Sequence, residues 1–578
     1  MLMKIADSEQ NTFTHWGRLL FYTFLLSLAV RIVFFSLLRD FPLLYTHSVD
    51  EKYYLALGRA IAEGQLLGGD GPFFMDPFYG YFLGSLFLLF GKNLTIIRLI
   101  QILLDSFGVI LSYAIGHRVW DRKAAIIAAF IYALYSVSFY YTLLMLKTTV
   151  AVTAILVFVL LLLVVIEKPL TSRWFFLGIA AGILTYIRAN FLLTVPLTLF
   201  FYFFLQRPNW KIFWKNCIIF VAGCLAVLSL NAVRNYQVTG QATFLVTQSG
   251  RLLYSCNNPE NTSGRFNVPS FSRFHPVESD RDFHKEAQKR AGKMLSPEEA
   301  SRFWRNETLR GLTKNPEIVP VLIFNKLKWT LANYEIPMNQ SYAFFAQASG
   351  LAKWPLPNFA FVFAFGLPGL ALGIWYRRKA AWLLIPIFTI LATMLIFCVS
   401  SRFRMPMVPF LMIGTGICLS TAAQWARNRR WGKALLIIFI VTPLFLTSMG
   451  ISAPEGDGYK ESALAKAYLQ QDNPQKAKEV AFDALKKFPE NENFYFILSS
   501  VMFSEGRYEK SIKYLLTVLE MEPDDTATQK KCFLNLGKAY DAAGQNPKAV
   551  QYYEKYLGAA SREDSARQFV HRRLREIR

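Results

Sequence analysis

About eleven apolar runs, each near the roughly 20 residues that a helix needs to cross a bilayer, fill most of the chain before residue 450. They fall at 17–38, 94–116, 124–142, 149–166, 174–188, 190–206, 212–233, 357–376, 380–400, 405–425 and 431–449. Lipid offers a backbone no hydrogen bonds, so such segments must satisfy their own N–H and C=O groups as helices. The expected fold is all-α, a polytopic membrane helix bundle. Hydrophobic residues make up 53% of the 578, and they are unevenly spread. From Gly456 onward the sequence turns charged, Ala-rich and helical, which puts a membrane domain at 1–452 and a soluble domain at 456–578. Met1 to Thr14 is mostly polar, and the first run, Leu19 to Leu38, is longer than the apolar region of a cleavable signal.

The run Phe78 to Phe90 decides the orientation, because at about 13 residues it is too short to span. If it crossed, "HRVWDRK" (117–123), "EKPLTSR" (167–173) and "QRPNWKIFWK" (206–215) would lie opposite the N-terminus. Read as a surface-lying or re-entrant helix, it leaves them with "YRRK" (376–379) and "RNRR" (427–430) on the cytoplasmic side, as the positive-inside rule prefers. The first loop (40–93), the large loop (234–356) and the soluble domain then face outward. The same rule accounts for the net charge of +23, so no nucleic-acid partner is expected. Six scattered cysteines, four of them (Cys217, Cys224, Cys398, Cys418) within apolar runs, give neither a zinc site nor a disulfide framework. The six histidines show no ligand spacing, and sequons such as that at Asn306 matter only in a eukaryotic secretory pathway.

Against this background five cations stand on the wrong face. Arg402 and Arg404 lie in "SSRFRMP" (400–406), Lys147 in the turn "LLMLKTT", Arg188 in "LTYIRAN", and Arg234 opens the large outer loop. They share that face with Asp50 and Glu51 of "THSVDEKYYLALGRAIAEG" (46–64). Singly, each cation fits snorkelling onto lipid phosphates or pairing with a nearby acid. Ser48 to Glu51 has capping-box spacing, which accounts for Glu51 and merely permits Asp50. Together the residues suggest a cationic pocket at the outer membrane surface with a carboxylate at its rim. Arg and Lys there would hold a lipid phosphate, and the carboxylate would accept a proton from an incoming hydroxyl. No nucleotide sugar exists outside a cell, so an activated donor must arrive on lipid; polyprenyl-phosphate sugars meet that requirement. Arg31, Arg98 and Asp105 lie inside spans, where an ion pair fixing helix packing explains them better than catalysis.

The ordered set "VDEKYYLALGRAIAEG", "PFFMDPFYGYFLGSLFLLFGKNLTIIRLIQ", "YTLLMLKTT", "LTYIRANFLL", "NAVRNYQVTGQ", "LLYSCNNPE", "NYEIPMNQSY" and "SSRFRMPMVPF" resembles the GT-C superfamily of integral-membrane glycosyltransferases. Within it, the sequence is similar to the branch holding dolichyl-phosphate-mannose protein mannosyltransferases and lipid A aminoarabinose transferases, and to bacterial members with appended tetratricopeptide repeats. The resemblance implies a GT-C bundle of about eleven spans with external juxtamembrane helices shaping an acceptor groove, in a bacterial inner membrane with its active site outside. It implies Asp50 as general base, with Glu51 completing the acidic pair. Metal-dependent relatives carry further carboxylates in the second external turn, where this chain has Lys147, so no metal and no other cofactor is implied. The family's basic residue after the first loop has no match, since "PFFMDPFYG" offers Asp76. Lys147, Arg402, Arg404, Arg234 and Arg188 are therefore the donor-phosphate candidates. Asn257 and Asn258 of "SCNNPENTSG" (255–264), Glu335 of "NYEIPMN" and Asp76 are candidates for the rest of the substrate site. The amphipathic stretch Ile318–Ala332 is expected to lie on the membrane.

The C-terminal domain repeats itself: Pro489 and Pro523 stand 34 residues apart, as do Ala477 and Ser511. That period, with "LGKAY" and "KAVQYYEKYL" in a third unit, marks a tetratricopeptide α-solenoid whose concave face suits a peptide or partner protein. The leading expectation is a transferase moving a sugar from a polyprenyl-phosphate donor to a protein, lipid or glycan hydroxyl outside the membrane. A transporter would place charges near mid-membrane on broken, repeated helices. A non-catalytic scaffold presenting the repeats would leave Asp50 and the misplaced cations without a role.

Overall fold

The computed structural model describes residues 2–47, 49–69, 71–273, 276–453, 458–521, 526–560 and 564–578; among them are helices and turns and no strand. The capping position Ser48 and the repeat residue Pro523 lie outside the described residues. The chain divides into two compact units, one of Met1–Arg39 and His47–Ala453, the other of Asp40–Thr46 and Pro454–Arg578.

Among the described residues of the first unit, nine helices are long and apolar enough to cross a membrane: His15–Leu37, Leu94–Val119, Thr148–Glu167, Ala189–Gln206, Trp210–Thr239, Phe359–Tyr376, Arg378–Ile396, Ser401–Arg427 and Trp431–Gly450. Two expected spans differ. The run at 124–142 is broken into Arg122–Leu134 and Ser136–Leu143, bent by 51°. The run at 174–188 forms Thr171–Ile187, a helix of 17 residues, about 26 Å at 1.5 Å per residue. Phe78–Phe90 is a separate 13-residue helix. Asn93, Asp121, Asn209 and Asn358 start four of the helices, each accepting a first-turn N–H that the helix cannot satisfy itself.

The break at Tyr135 has a visible cause. Arg31, fully buried on the first span, pairs with Asp105 at 2.6 Å and donates to the carbonyls of Ala133 (3.1 Å) and Tyr132 (3.5 Å). These belong to the last turn of Arg122–Leu134, where the Tyr132 carbonyl otherwise accepts only the Tyr135 N–H at 3.3 Å. The next helix ends in the same way. Gln101 donates to Thr142 O and Leu144 O at 2.9 and 3.1 Å, and Arg98 to Leu143 O at 3.0 Å. Polar side chains of two other helices thus end each piece of the broken helix, and the chain turns toward Lys147.

Elsewhere the spans pack through glycine. A Cβ on Gly369 would lie 1.8 Å from the carbonyl oxygen of Gly414, and one on Gly178 2.0 Å from that of Phe220. Small residues let these backbones touch, the usual basis of helix association in lipid. Gly369→Ala forces two backbones apart and should cost about 1–3 kcal/mol. Gly432→Ala, where a Cβ meets nothing within 4 Å, should be neutral. Thermal unfolding of the two variants in detergent checks this; equal midpoints would contradict the packing argument.

In the second unit three helix pairs follow one another: Tyr459–Gln470 with Pro474–Leu485, Glu492–Ser504 with Tyr508–Glu520, and Thr526–Ala542 with Asn546–Ala559. Arg567–Ile577 closes the stack. Ala477, Ala481, Phe494 and Leu498 share one apolar cluster; Leu515, Leu536, Tyr553 and Val570 share the next. Each cluster draws on consecutive pairs, so no pair buries its face alone.

Candidate active site

The turn 144–147, delivered by the broken helix, is fixed from the first loop. Glu51 is 2% exposed; one carboxylate oxygen accepts the Met145 N–H at 2.8 Å and the other the Gln340 amide at 3.0 Å. Beyond the turn, Lys147 extends to an ion pair with Asp76. Asp76 also accepts the Ala189 N–H at 3.0 Å, which holds the chain just after Arg188. Asp50, one residue before Glu51 on helix Val49–Ala62, pairs with Arg402 and accepts from Asn339 at 3.2 Å. Arg402 further donates to Met338 Sδ at 3.0 Å. Segments distant in sequence therefore meet through two carboxylate–cation pairs.

Around them lies a cavity of about 700 Å³. Asp50, Asp76, Lys147, Arg188 and Arg402 line it, with Tyr54, Asn190, Gln248, Arg251, Met338 and Asn339. Much of the remaining wall is apolar, from Leu192, Leu193, Val195, Pro196, Leu245, Val246, Ile396 and Phe397. The five cations expected to share one pocket do not all reach it. Arg404 is 3% exposed, pairs with Glu335 at 2.9 Å, donates to the Thr330 and Ala332 carbonyls, and packs against the Phe359 ring. Arg234 donates to Leu67, Gly69 and Gly71 carbonyls and stacks on Phe73, bracing the first loop. Asn257 binds Lys326 and the carbonyls of Leu253 and Ile396, and Asn258 closes a turn onto Tyr254 and Glu260. These four, with Glu335 and Glu51, lie outside the cavity lining and hold its walls. A sequence marks a cation that departs from the positive-inside expectation; it does not show that a carbonyl or a carboxylate already claims it. Asn339 and Gln340 were within reach in "NYEIPMNQSY", but an uncharged amide carries no topological signal.

Charge within the cavity is unevenly settled. Burial pushes the Asp50 carboxyl up, yet Arg402, the Asn339 amide and Lys147 together hold it below its ordinary 3.8. Burial draws the Lys147 ammonium down, against the pull of Asp76. Arg188 is drawn down to about 10 by burial and then by Arg402, and stays charged at neutral pH. Arg188 donates to the Arg402 carbonyl at 3.2 Å and stacks on Phe403, and its Nε has no partner. Among the described residues no carboxylate pairs with it. At the other end of the bundle Arg118 and Lys379 both pair with Glu167, so the loops 117–123, 167–173 and 376–379 gather there.

Residues 70–233, which include Asp76, Lys147 and Arg188, match the family described as Dolichyl-phosphate-mannose-protein mannosyltransferase. Residues 462–526 and 532–567 match tetratricopeptide repeats. Curated proteins gave no match. Among solved structures, the apo oligosaccharyltransferase of Archaeoglobus fulgidus is similar at 15% identity and a TM-score of 0.38, over 80% of this chain and 59% of that one. The same archaeal enzyme, AglB, with an inhibitory peptide and a dolichol-phosphate gives 14% identity and a TM-score of 0.36, over 81% and 60%. The chain thus spans about three-fifths of the length of these structures.

Proposed function

We propose that this protein is a glycosyltransferase that moves a sugar from a polyprenyl-phosphate-linked donor to a hydroxyl of a protein, lipid or glycan acceptor, on the extracytoplasmic face of a bacterial inner membrane. The observation that carries the reading is Arg188. It is a buried guanidinium, 4% exposed, facing a cavity in which Lys147 and Arg402 are already neutralised by Asp76 and Asp50. An uncompensated buried charge is costly, and a donor phosphate supplies the missing anion in a form that matches the guanidinium fork. The apolar wall beside it suits the first isoprene units. Asp50 accepts the proton of the acceptor hydroxyl as its oxygen attacks the anomeric carbon. The bond from that carbon to the phosphate oxygen breaks, and Arg188 and Lys147 stabilise the charge left on the phosphate. The lipid-linked sugar is a substrate, so the reading calls for no resident cofactor, and the repeats would present a surface to a protein partner.

The test is transfer by purified protein from a panel of polyprenyl-phosphate sugars, with membrane extract as acceptor source, beside Arg188→Gln. One donor should be consumed, and the variant should lose about 10²–10³-fold in kcat/KM, the usual effect of removing one donor to a developing oxyanion. No turnover of any donor, or a variant equal to wild type, would overturn the reading.

The depressed Asp50 pKa fixes the pH behaviour. A carboxyl lowered in the folded state is ionised throughout neutral pH, so kcat/KM should show no acid limb from Asp50 above about pH 5. The stability it lends is complete above the ordinary 3.8 and is lost as pH falls through the lower folded value. A pH–rate profile from pH 5 to 8 checks the first point; an acid limb near 6 that vanishes in Asp50→Asn would contradict it.

A further inference from the structure

Cys256 lies near the end of helix Ser249–Asn257 in the large loop, and Cys398 lies between helices Leu384–Ile396 and Ser401–Arg404. Both are free thiols, buried at 0% and 1% exposure. Their neighbours hold the two segments side by side. The Asn257 amide donates to the Ile396 carbonyl at 3.0 Å, and the Val399 N–H donates to the Gly264 carbonyl at 3.2 Å. Lys326 ties the two sides together, donating to Asn257 Oδ1 and, at 2.8 Å, to the Leu395 carbonyl. None of these contacts belongs to the proposed transfer chemistry, and pairs so distant in sequence leave no spacing signal. The other cysteines sit apart, Cys217, Cys224 and Cys418 on spans and Cys532 in the repeats.

We propose that Cys256 and Cys398 are a redox site that closes to a disulfide, stapling the large outer loop to the cavity wall. The chemistry is thiol–disulfide exchange with an external disulfide, such as an oxidised dithiol oxidoreductase acting while the loop folds. One thiolate attacks that disulfide, forming a mixed disulfide and releasing one external thiolate. The second cysteine, as thiolate, displaces the other external sulfur. The two cysteines give up two electrons and two protons, and the external disulfide leaves as two thiols. Lys326, hydrogen-bonded to Asn257 and the Leu395 carbonyl, holds the residues next to the two cysteines in place. Two walls become linked. Helix Ser249–Asn257 carries Ser249, Arg251 and Leu252 into the cavity, and Cys398 lines it close to Arg402. Disulfides persist in oxidising compartments. The site shares the outward orientation of the proposed function and depends on no step of sugar transfer.

The test uses full-length protein extracted from its membrane and denatured directly in an excess of a thiol alkylator. It is then digested without reductant and read by mass spectrometry. A linked peptide pair holding Cys256 and Cys398 is expected. Before reduction alkylation should reach Cys217, Cys224, Cys418 and Cys532 only, and after reduction all six cysteines. In Cys256→Ser, Cys398 should become alkylatable without reduction, a readout that survives even if the variant folds poorly. Alkylation of both Cys256 and Cys398 in unreduced wild type would overturn the proposal, whatever the protein does with sugars.

Discussion

Asp50→Asn is expected to lower kcat by about 10²–10³-fold, toward the lower part of the range for losing a general base. Asp50 is held below the ordinary carboxylate value by Arg402, so it is a weak base and part of the work falls on leaving-group stabilisation. A second consequence separates this loss from a structural one. The variant removes a negative charge that neutralises Arg402, leaving Arg402 and Arg188 both uncompensated beside the cavity. The donor phosphate should then bind more tightly, so KM for donor should fall while kcat falls. Asparagine keeps the shape and an oxygen for Arg402, and the unfolding midpoint should stay near that of wild type. Steady-state kinetics with a single identified donor decide the matter. A lower kcat with a raised KM would point to damage, and an unchanged kcat would remove Asp50 from the chemistry.

The largest effect on stability is expected at Arg31. Arg31→Met deletes the ion pair to Asp105 and leaves the Ala133 and Tyr132 carbonyls without that donor. Breaking a buried pair by removing one partner costs roughly 3–5 kcal/mol, and a lone Asp at the centre of a membrane helix roughly 2.5–3.5 kcal/mol. Both scales put the loss near 3 kcal/mol. Arg31→Met with Asp105→Leu should recover part of it, because two apolar groups replace the pair. Recovery should be incomplete, because the Ala133 carbonyl at the helix end still lacks the Arg31 donor. The single variant should also move the turn that presents Lys147, so activity should drop although Arg31 does not line the cavity. Unfolding midpoints of wild type, the two single variants and the double variant give the cycle; a double variant no better than Arg31→Met would contradict the charge argument.

Period and composition fixed the outline, because the causes of these features are local. A run of some twenty apolar residues has one way to satisfy its backbone in lipid, and thirteen residues are too few to cross, so the spans and the separate Phe78–Phe90 helix were readable in advance. The tetratricopeptide repeats were legible for the same reason, since each unit repeats its own buried positions. Lys147, Arg188 and Arg402 could be picked out because the positive-inside rule expects cations at the other ends of their segments, and Asp50 because it stands in an acidic pair on the first loop. Partnership is not local. That Arg404 belongs to Glu335 and Arg234 to the carbonyls at 67–71, and that Arg31 bends a helix about a hundred residues further on, depends on which segments pack together. Only the folded chain decides which cations are already spent on carboxylates and carbonyls, and that Arg188 faces the cavity with no carboxylate paired to it among the described residues.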